Sequence, residues 1–202
     1  MDLGLPDMTG TEVVQRASEQ IYPSRYGEWD ASIGLFELGS EPTGGYDLII
    51  IGTPPDIHIP LALEALEEGP RAILIEKPLC GPSLESAAII NERATAEKIP
   101  VFVGYDHVVG LASEKFRELT DEFRNFKTLD VEFREHWGGI FAAHPWLNGP
   151  ADTYLGFWQK GGGASGEHSH GINLWQHFAH TIGVGRVTKV NATINYVDEG
   201  FV

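Results

Sequence analysis

Three short apolar runs, spaced by two helix-length segments, constrain this chain more than any other feature. Asp47-Leu48-Ile49-Ile50-Ile51 ends at Gly52, Arg71-Ala72-Ile73-Leu74-Ile75 ends at Glu76, and Pro100-Val101-Phe102-Val103 ends at Gly104. Each run is too short for an independent helix and rich in β-branched residues, so each reads as a strand. An uninterrupted apolar strand suits a parallel sheet covered on both faces. Between the first two runs, the spacing predicts a helix over 57–68, with Leu61, Ala62, Ala65 and Leu66 inward and Gly69 past its end. Between the second and third, it predicts a helix over 83–98, with Ser83 as N-cap. Strand–helix–strand–helix–strand is two βαβ units with right-handed crossovers, which places the chain in the α/β class.

The flanks are patterned differently. Residues 11–21 fit a short helix, with Val13, Val14, Ala17 and Ile21 on one side. Residues 22–45 carry Pro23, Gly27, Gly34, Gly39, Pro42, Gly44 and Gly45 and read mainly as loop. After Tyr105, a helix is predicted over 113–126. Residues 128–136 alternate apolar and charged side chains, the pattern of a half-solvated antiparallel strand. Residues 137–160 read as a long loop, 168–182 as a helix, and 187–197 as another alternating strand. The expected architecture is a partial doubly wound parallel sheet over 1–110. The start of an α+β region with a mostly antiparallel sheet follows over 111–202.

Charge narrows the partners. Fourteen basic residues stand against 29 acidic ones, a net charge of −15, which argues against nucleic acid and anionic membranes. Cys80 is the single cysteine, so no internal disulfide can form, in keeping with a reducing compartment. No apolar stretch reaches membrane-spanning length. A cytoplasmic location is expected.

Chemistry-bearing residues gather at the carboxyl ends of the three runs, the edge where open α/β sheets bind ligands. Thr53-Pro54-Pro55-Asp56-Ile57-His58 links the first run to its helix, whose N-terminal N–H groups suit an anion; an ordinary strand–helix turn with a surface His58 is the plainer reading. Glu76-Lys77-Pro78 closes the second run. A lysine there can hydrogen-bond a substrate hydroxyl near a nicotinamide, or simply face solvent. Tyr105-Asp106-His107 follows the third run, and Asp106 can bond a cofactor ribose or amide or cap the next turn. Further on, Gly161-Gly162-Gly163 precedes Glu167-His168-Ser169-His170-Gly171-Ile172-Asn173. His170 and Asn173 share a helix face, continued by His177 and His180. A histidine at such a site can act as general base to a hydroxyl, and an asparagine can orient that hydroxyl without charge. Glu167, His168, His170 and His177 are potential metal ligands, but their spacing matches no zinc pattern, and no metal is expected. Residues 161–166 formally satisfy G-x-G-x-x-G. They follow no buried strand, so they are read as glycines that permit a close backbone approach.

These blocks, in this order, resemble the Gfo/Idh/MocA family of oxidoreductases. The carrying residues are Ile50-Ile51-Gly52-Thr53-Pro54-Pro55 with His58, Glu76-Lys77-Pro78-Leu79, Val103-Gly104-Tyr105-Asp106, and Gly161-Gly162-Gly163 with His170 and Asn173, over roughly residues 46–182. The resemblance implies a Rossmann domain followed by an α/β domain, NAD or NADP as cofactor, and a sugar, inositol or related polyol as substrate. It implies catalytic roles for Lys77 and His170, with Asn173 where many members carry aspartate. Cofactor contacts are then expected at Thr53, Pro54, His58, Glu76, Lys77 and Asp106. Homo-oligomerisation through the C-terminal sheet is expected too. Two departures stand out: Gly166 occupies the position, four before the histidine, where the family often has aspartate, and Asp106 replaces a common asparagine. A member also begins with a strand and a glycine-rich phosphate loop and continues well beyond the stretch that corresponds to residue 202, to finish the second sheet. Nothing in residues 1–45 reads as that first unit, so the chain is expected to correspond to the middle of such a protein.

A non-catalytic sugar-binding or assembly role is the competing reading. It rests on the absent phosphate loop and on the aromatic segment with Trp137, Trp146, Tyr154, Phe157 and Trp158, which can stack on sugar faces.

Overall fold

A computed structural model of the chain describes residues 27–193, apart from Trp29, Ala31, Leu38, Leu84, Arg124, Glu135, His144 and Trp146. The expected helix over 11–21 lies outside these residues. The chain divides into two units, Met1–Gly45 and Tyr46–Val202. In the first, the described residues form turns and loop, with Asp30 Oδ1 accepting from the N–H and hydroxyl of Ser32.

The second unit opens with the expected parallel sheet. Strands β1 (Leu48–Ile51), β2 (Ala72–Ile75) and β3 (Val101–Val103) lie in sequence order. Ile51 pairs with Ile75, and Ile75 with Val103. The three carboxyl ends therefore stand level. Helix α1 (His58–Glu67) and helix α2 (Glu85–Glu97) connect them. A short 3-10 turn over Pro55–Ile57 precedes α1, because Pro55 fits the first position of a helical turn and the phase changes before α1 begins.

Both helices cover the same face of the sheet. Ile51, Ile73 and Ile75 meet Ile59, Ala62, Ala65 and Leu66 of α1, with Ile90 and Ala94 of α2, in one buried cluster. Small residues at 62, 65 and 94 let the helices lie close to the strands. Arg93 of α2 ties the pair at the surface through Glu67 of α1 at 2.7 Å, and also reaches Glu97 of its own helix at 2.7 Å. The other face differs from the expectation of burial on both sides. Leu48, Ile50 and Phe102 are exposed there, Ile50 by 60%. Two successive crossovers of one hand, stepping in one direction, put both helices on one side. The apolar residues of β1 therefore alternate between a covered and an open face.

Beyond β3, a short turn over Asp106–Val109 leads into α3 (Leu111–Asp121). Among the described residues from 125 to 134 the chain then forms neither helix nor strand. Next come α4 (Trp137–Ala143), three 3-10 turns (Pro150–Asp152, Tyr154–Gly156, Trp158–Lys160), α5 (Gly163–Glu167) and α6 (Ser169–Thr181). The segment expected as loop over 137–160 is thus partly helical. Among the described residues, neither 128–134 nor 187–193 forms a strand. Over 129–134 the alternation itself is real. Leu129, Val131 and Phe133 are half-buried while Asp130, Glu132 and Arg134 are exposed. The inward side chains lie along α6: Trp175 Nε1 donates to the Leu129 carbonyl at 3.0 Å, and Phe133 stacks near His170. A two-residue period reports an extended chain with one covered side, and a helix covers that side as well as a sheet does. Residues 187–193 are exposed throughout. No helix among the described residues is long and apolar enough to cross a membrane.

Candidate functional site

The level carboxyl ends of the three strands organise the site. After β1, the Thr53-Pro54-Pro55 turn is held from below by His58, the first residue of α1. His58 is fully buried. Its Nε2 lies 2.6 Å from the Thr53 carbonyl oxygen and its Nδ1 lies 3.0 Å from the Pro78 carbonyl oxygen. One side chain thereby pins the loop after β1 to the loop after β2. This corrects the plainer reading of His58 as a surface residue: its ring holds the two loops that frame the edge and is shielded from solvent.

After β2, the Lys77–Pro78 peptide bond is cis. The Glu76 side chain spreads across the strand ends. A Cβ on Gly104 would stand 3.1 Å from both Glu76 carboxylate oxygens, and one on Gly52 would stand 3.9 Å from Glu76 Cγ. The Lys77 N–H donates to Glu76 Oε2 at 3.2 Å. Gly104 leaves room for the Glu76 carboxylate, whereas the Gly52 distance is an ordinary van der Waals contact. Lys77 is half-buried at this edge.

After β3, Asp106 and His107 form the start of the next turn. His107 Nδ1 donates to Asp106 Oδ1 at 2.7 Å, and His170 Nδ1 lies 3.7 Å from the same oxygen. The His107 and His170 ring centroids are 4.3 Å apart, with Tyr105 edge-on to His170 and Phe133 stacked near it, each at 5.8 Å. His107 lowers the Asp106 pKa from its ordinary value, first through the hydrogen bond and further through its charge and that of His170; partial burial opposes this.

The glycine-rich block closes the edge. Gly161 has φ 87°, and a Cβ on it would stand 2.7 Å from Pro55 Cβ and 3.5 Å from Pro78 Cγ. The block therefore rests on both proline loops. A Cβ on Gly162 would overlap the Tyr154 carbonyl, and one on Gly166 would overlap the Gly161 carbonyl. Position 166 has no room for any side chain, which explains the glycine there. Ser169 Oγ donates to the Gly166 carbonyl at 2.6 Å and starts α6, which carries His170 and Asn173.

The structure thus gathers Thr53, Pro54, His58, Glu76, Lys77, Asp106 and His170 about one sheet edge. Two of the sequence-selected residues carry buried oxygens with no protein hydrogen-bond partner, Thr53 Oγ1 and Asn173 Oδ1. Such atoms in a folded protein call for a partner, and a polar ligand supplies one. With Gly52 and Gly104 opening the strand ends, the residues fit a nucleotide cofactor laid along the edge. The histidine cluster contains one residue that sequence reasoning left without a role, His107. Its adjacency to Asp106 was visible; its reach to His170 was not. His107 also joins Asp106 and His170 in the one group among the described residues that could hold a metal ion, their ligand atoms lying within 4.8 Å of one another. This is not the Glu167, His168, His170, His177 set weighed from the sequence. The 2.7 Å Asp106–His107 contact has the length of a charge-assisted hydrogen bond. A separate groove of about 510 Å³ runs between α2 and β3, lined in part by Leu79, Ile90, Ala94, Lys98, Val101 and Val103, and includes none of Lys77, Asp106 or His170.

No curated protein sequence matches the chain. Solved structures similar over parts of it include the following three. An inositol dehydrogenase homolog from Azotobacter vinelandii, complexed with NADH and myo-inositol, is 31% identical over 39% of this chain and 20% of its own, with a TM-score of 0.36. The WlbA (WbpB) dehydrogenase from Thermus thermophilus, in complex with NAD and UDP-GlcNAcA, is 22% identical over 65% of this chain and 40% of its own, with a TM-score of 0.48. GenD2 from gentamicin A biosynthesis, in complex with NAD, is 19% identical over 67% of this chain and 36% of its own, with a TM-score of 0.45. The chain spans less than half the length of each. The profile of the oxidoreductase family with an NAD-binding Rossmann fold matches residues 10–105. That match reaches back into the segment where sequence patterning showed no strand–loop–helix unit, and it stops before Asp106 and the histidine block. Residues 10–105 are therefore similar to the NAD-binding Rossmann region of the Gfo/Idh/MocA oxidoreductase family.

Proposed function

We propose that the chain serves a nicotinamide-dependent oxidoreductase acting on a secondary hydroxyl of a sugar or polyol. The observation that supports this reading is the placement of His170, distant in sequence, 3.7 Å from Asp106 after β3, on the sheet whose neighbouring strand β2 is followed by Glu76-Lys77-Pro78. When bound, NAD or NADP supplies the hydride acceptor or donor. Thr53, Pro54, Glu76 and Asp106 line the edge along which it lies, and the loops that frame it are locked by His58. Lys77 donates a hydrogen bond to the substrate oxygen, stabilising negative charge there as its proton leaves. His170 takes or returns that proton as general base or acid. Asn173 satisfies its buried Oδ1 on a neighbouring substrate hydroxyl, which orients the sugar without adding charge. The Rossmann-type region over 1–110 holds the cofactor and 111–202 supplies the substrate side. A homo-oligomer and a cytoplasmic location complete the proposal, and a charge of −15 disfavours nucleic acid and anionic membranes as partners.

Replacement of Lys77 by Met tests it. With a panel of inositols and hexoses, turnover should fall by about 10²–10⁴-fold while NADH affinity holds. Turnover unchanged in Lys77→Met would overturn the assignment.

A further inference from the structure

The carboxylate beside His170 comes from the turn after β3, from a residue selected in the sequence as a cofactor ligand. We propose that Asp106 is the residue that positions His170 for proton transfer, and that His107 fixes Asp106 in place. The inference rests on His170 being the acid–base group of the proposed function.

Four contacts build the arrangement outward from the core. Ser113 is fully buried near the start of α3, and its hydroxyl donates to the His107 carbonyl at 2.7 Å, which fixes the backbone of the turn. The His107 ring, seated against Phe133 at 5.7 Å, donates to Asp106 Oδ1. That oxygen is shared, lying 3.7 Å from His170 Nδ1. His170 is itself 11% exposed, whereas Asp106 is 77% exposed. Without His107, an aspartate so open to water would have no reason to hold one rotamer. The 3.7 Å separation is longer than a hydrogen bond, as catalytic pairs often are before substrate closes the site.

Other groups do not supply this function. Position 166, four residues before His170, cannot, because no side chain fits there. Phe133, packed on His170, carries no charge, and His168 approaches the Phe133 ring at 5.8 Å. Tyr105 meets the ring edge-on. Asp106 is thus the carboxylate facing His170 among the described residues, with His107 and Tyr105 the other titratable groups against the ring. A carboxylate at Nδ1 holds the proton on that nitrogen and leaves the Nε2 lone pair to act as base, the logic by which a buried aspartate sets the tautomer in serine hydrolases.

The test reads the tautomer directly. Nitrogen-15 NMR of the imidazoles in the full chain should show neutral His170 protonated on Nδ1. In Asp106→Ala the proton should move to Nε2, the form free histidine prefers. Asp106→Glu should restore Nδ1, and His107→Phe, which keeps the ring packing, should show a partial loss. In the active enzyme, Asp106→Ala should lower kcat about 10- to 100-fold with little change in KM. A His170 tautomer that is unchanged in Asp106→Ala overturns the proposal, even if turnover is normal and the oxidoreductase reading stands. A tautomer that moves as expected in a chain without nicotinamide-dependent turnover sustains the pairing and sinks the oxidoreductase reading instead.

Discussion

Gly161 lies against Pro55 so closely that a Cβ on the glycine would stand 2.7 Å from the proline Cβ. Gly161 also holds φ 87°, so an alanine there meets two penalties. The left-handed backbone costs about 1–2 kcal/mol and the overlap with a rigid ring about 1–3 kcal/mol more. Gly161→Ala should lower the urea unfolding free energy by about 2–4 kcal/mol. A loss under about 0.5 kcal/mol would show that the glycine block does not rest on the proline loop.

His58 joins the same two loops from inside. Replacing it by Phe keeps the volume but leaves the Thr53 and Pro78 carbonyls without their ring partner. A cost of about 1–3 kcal/mol is expected in chemical denaturation. Little change in unfolding would mean the two contacts contribute nothing net.

Gly171 poses a contest of opposite signs. Alanine in a helix interior is favoured over glycine by about 1 kcal/mol. A Cβ on Gly171, however, would stand 2.8 Å from Phe133 Cβ, an atom near the backbone that cannot swing aside. The clash should win, so Gly171→Ala destabilises by about 1–2 kcal/mol net and displaces Phe133 from the His170 ring. A thermal melt checks the sign; a stabilised variant would show that the extended segment gives way freely.

How these contacts follow from the sequence explains what was legible in it. The strands and helices from Leu48 to Val103 were readable because local pattern and tertiary role agree there: apolar runs bury and glycines terminate. The carboxyl-edge location of Lys77 follows from strand polarity alone. Residues 129–134 show where the pattern is ambiguous, since Leu129, Val131 and Phe133 alternate inward against α6 and not against a strand. The open face at Ile50 was hidden for a related reason: an apolar run does not say how many sides have cover. His58 was misjudged because its partners are backbone carbonyls, which leave no trace in side-chain identity. The Asp106–His170 approach is a long-range contact, and no local signal announces it.

His177 gives a pH prediction. Its pKa is lowered from the ordinary 6.5, mainly by burial and then by the charges of Arg117 and His180. The unfolded chain takes up a proton near 6.5 that the folded chain resists, so the unfolded state binds more protons and stability falls as pH drops below that value. Melting temperature should therefore decline from pH 7.5 to pH 5.5, and less steeply in His177→Gln. Parallel curves for the two proteins would remove His177 from the account.

Nicotinamide binding is the claim on which the rest depends. Calorimetric titration of the 202-residue chain with NADH and with NADPH tests it most directly. The account predicts saturable, micromolar binding of at least one of the two. A chain shown by circular dichroism to be folded, yet binding neither at millimolar concentration, would contradict it.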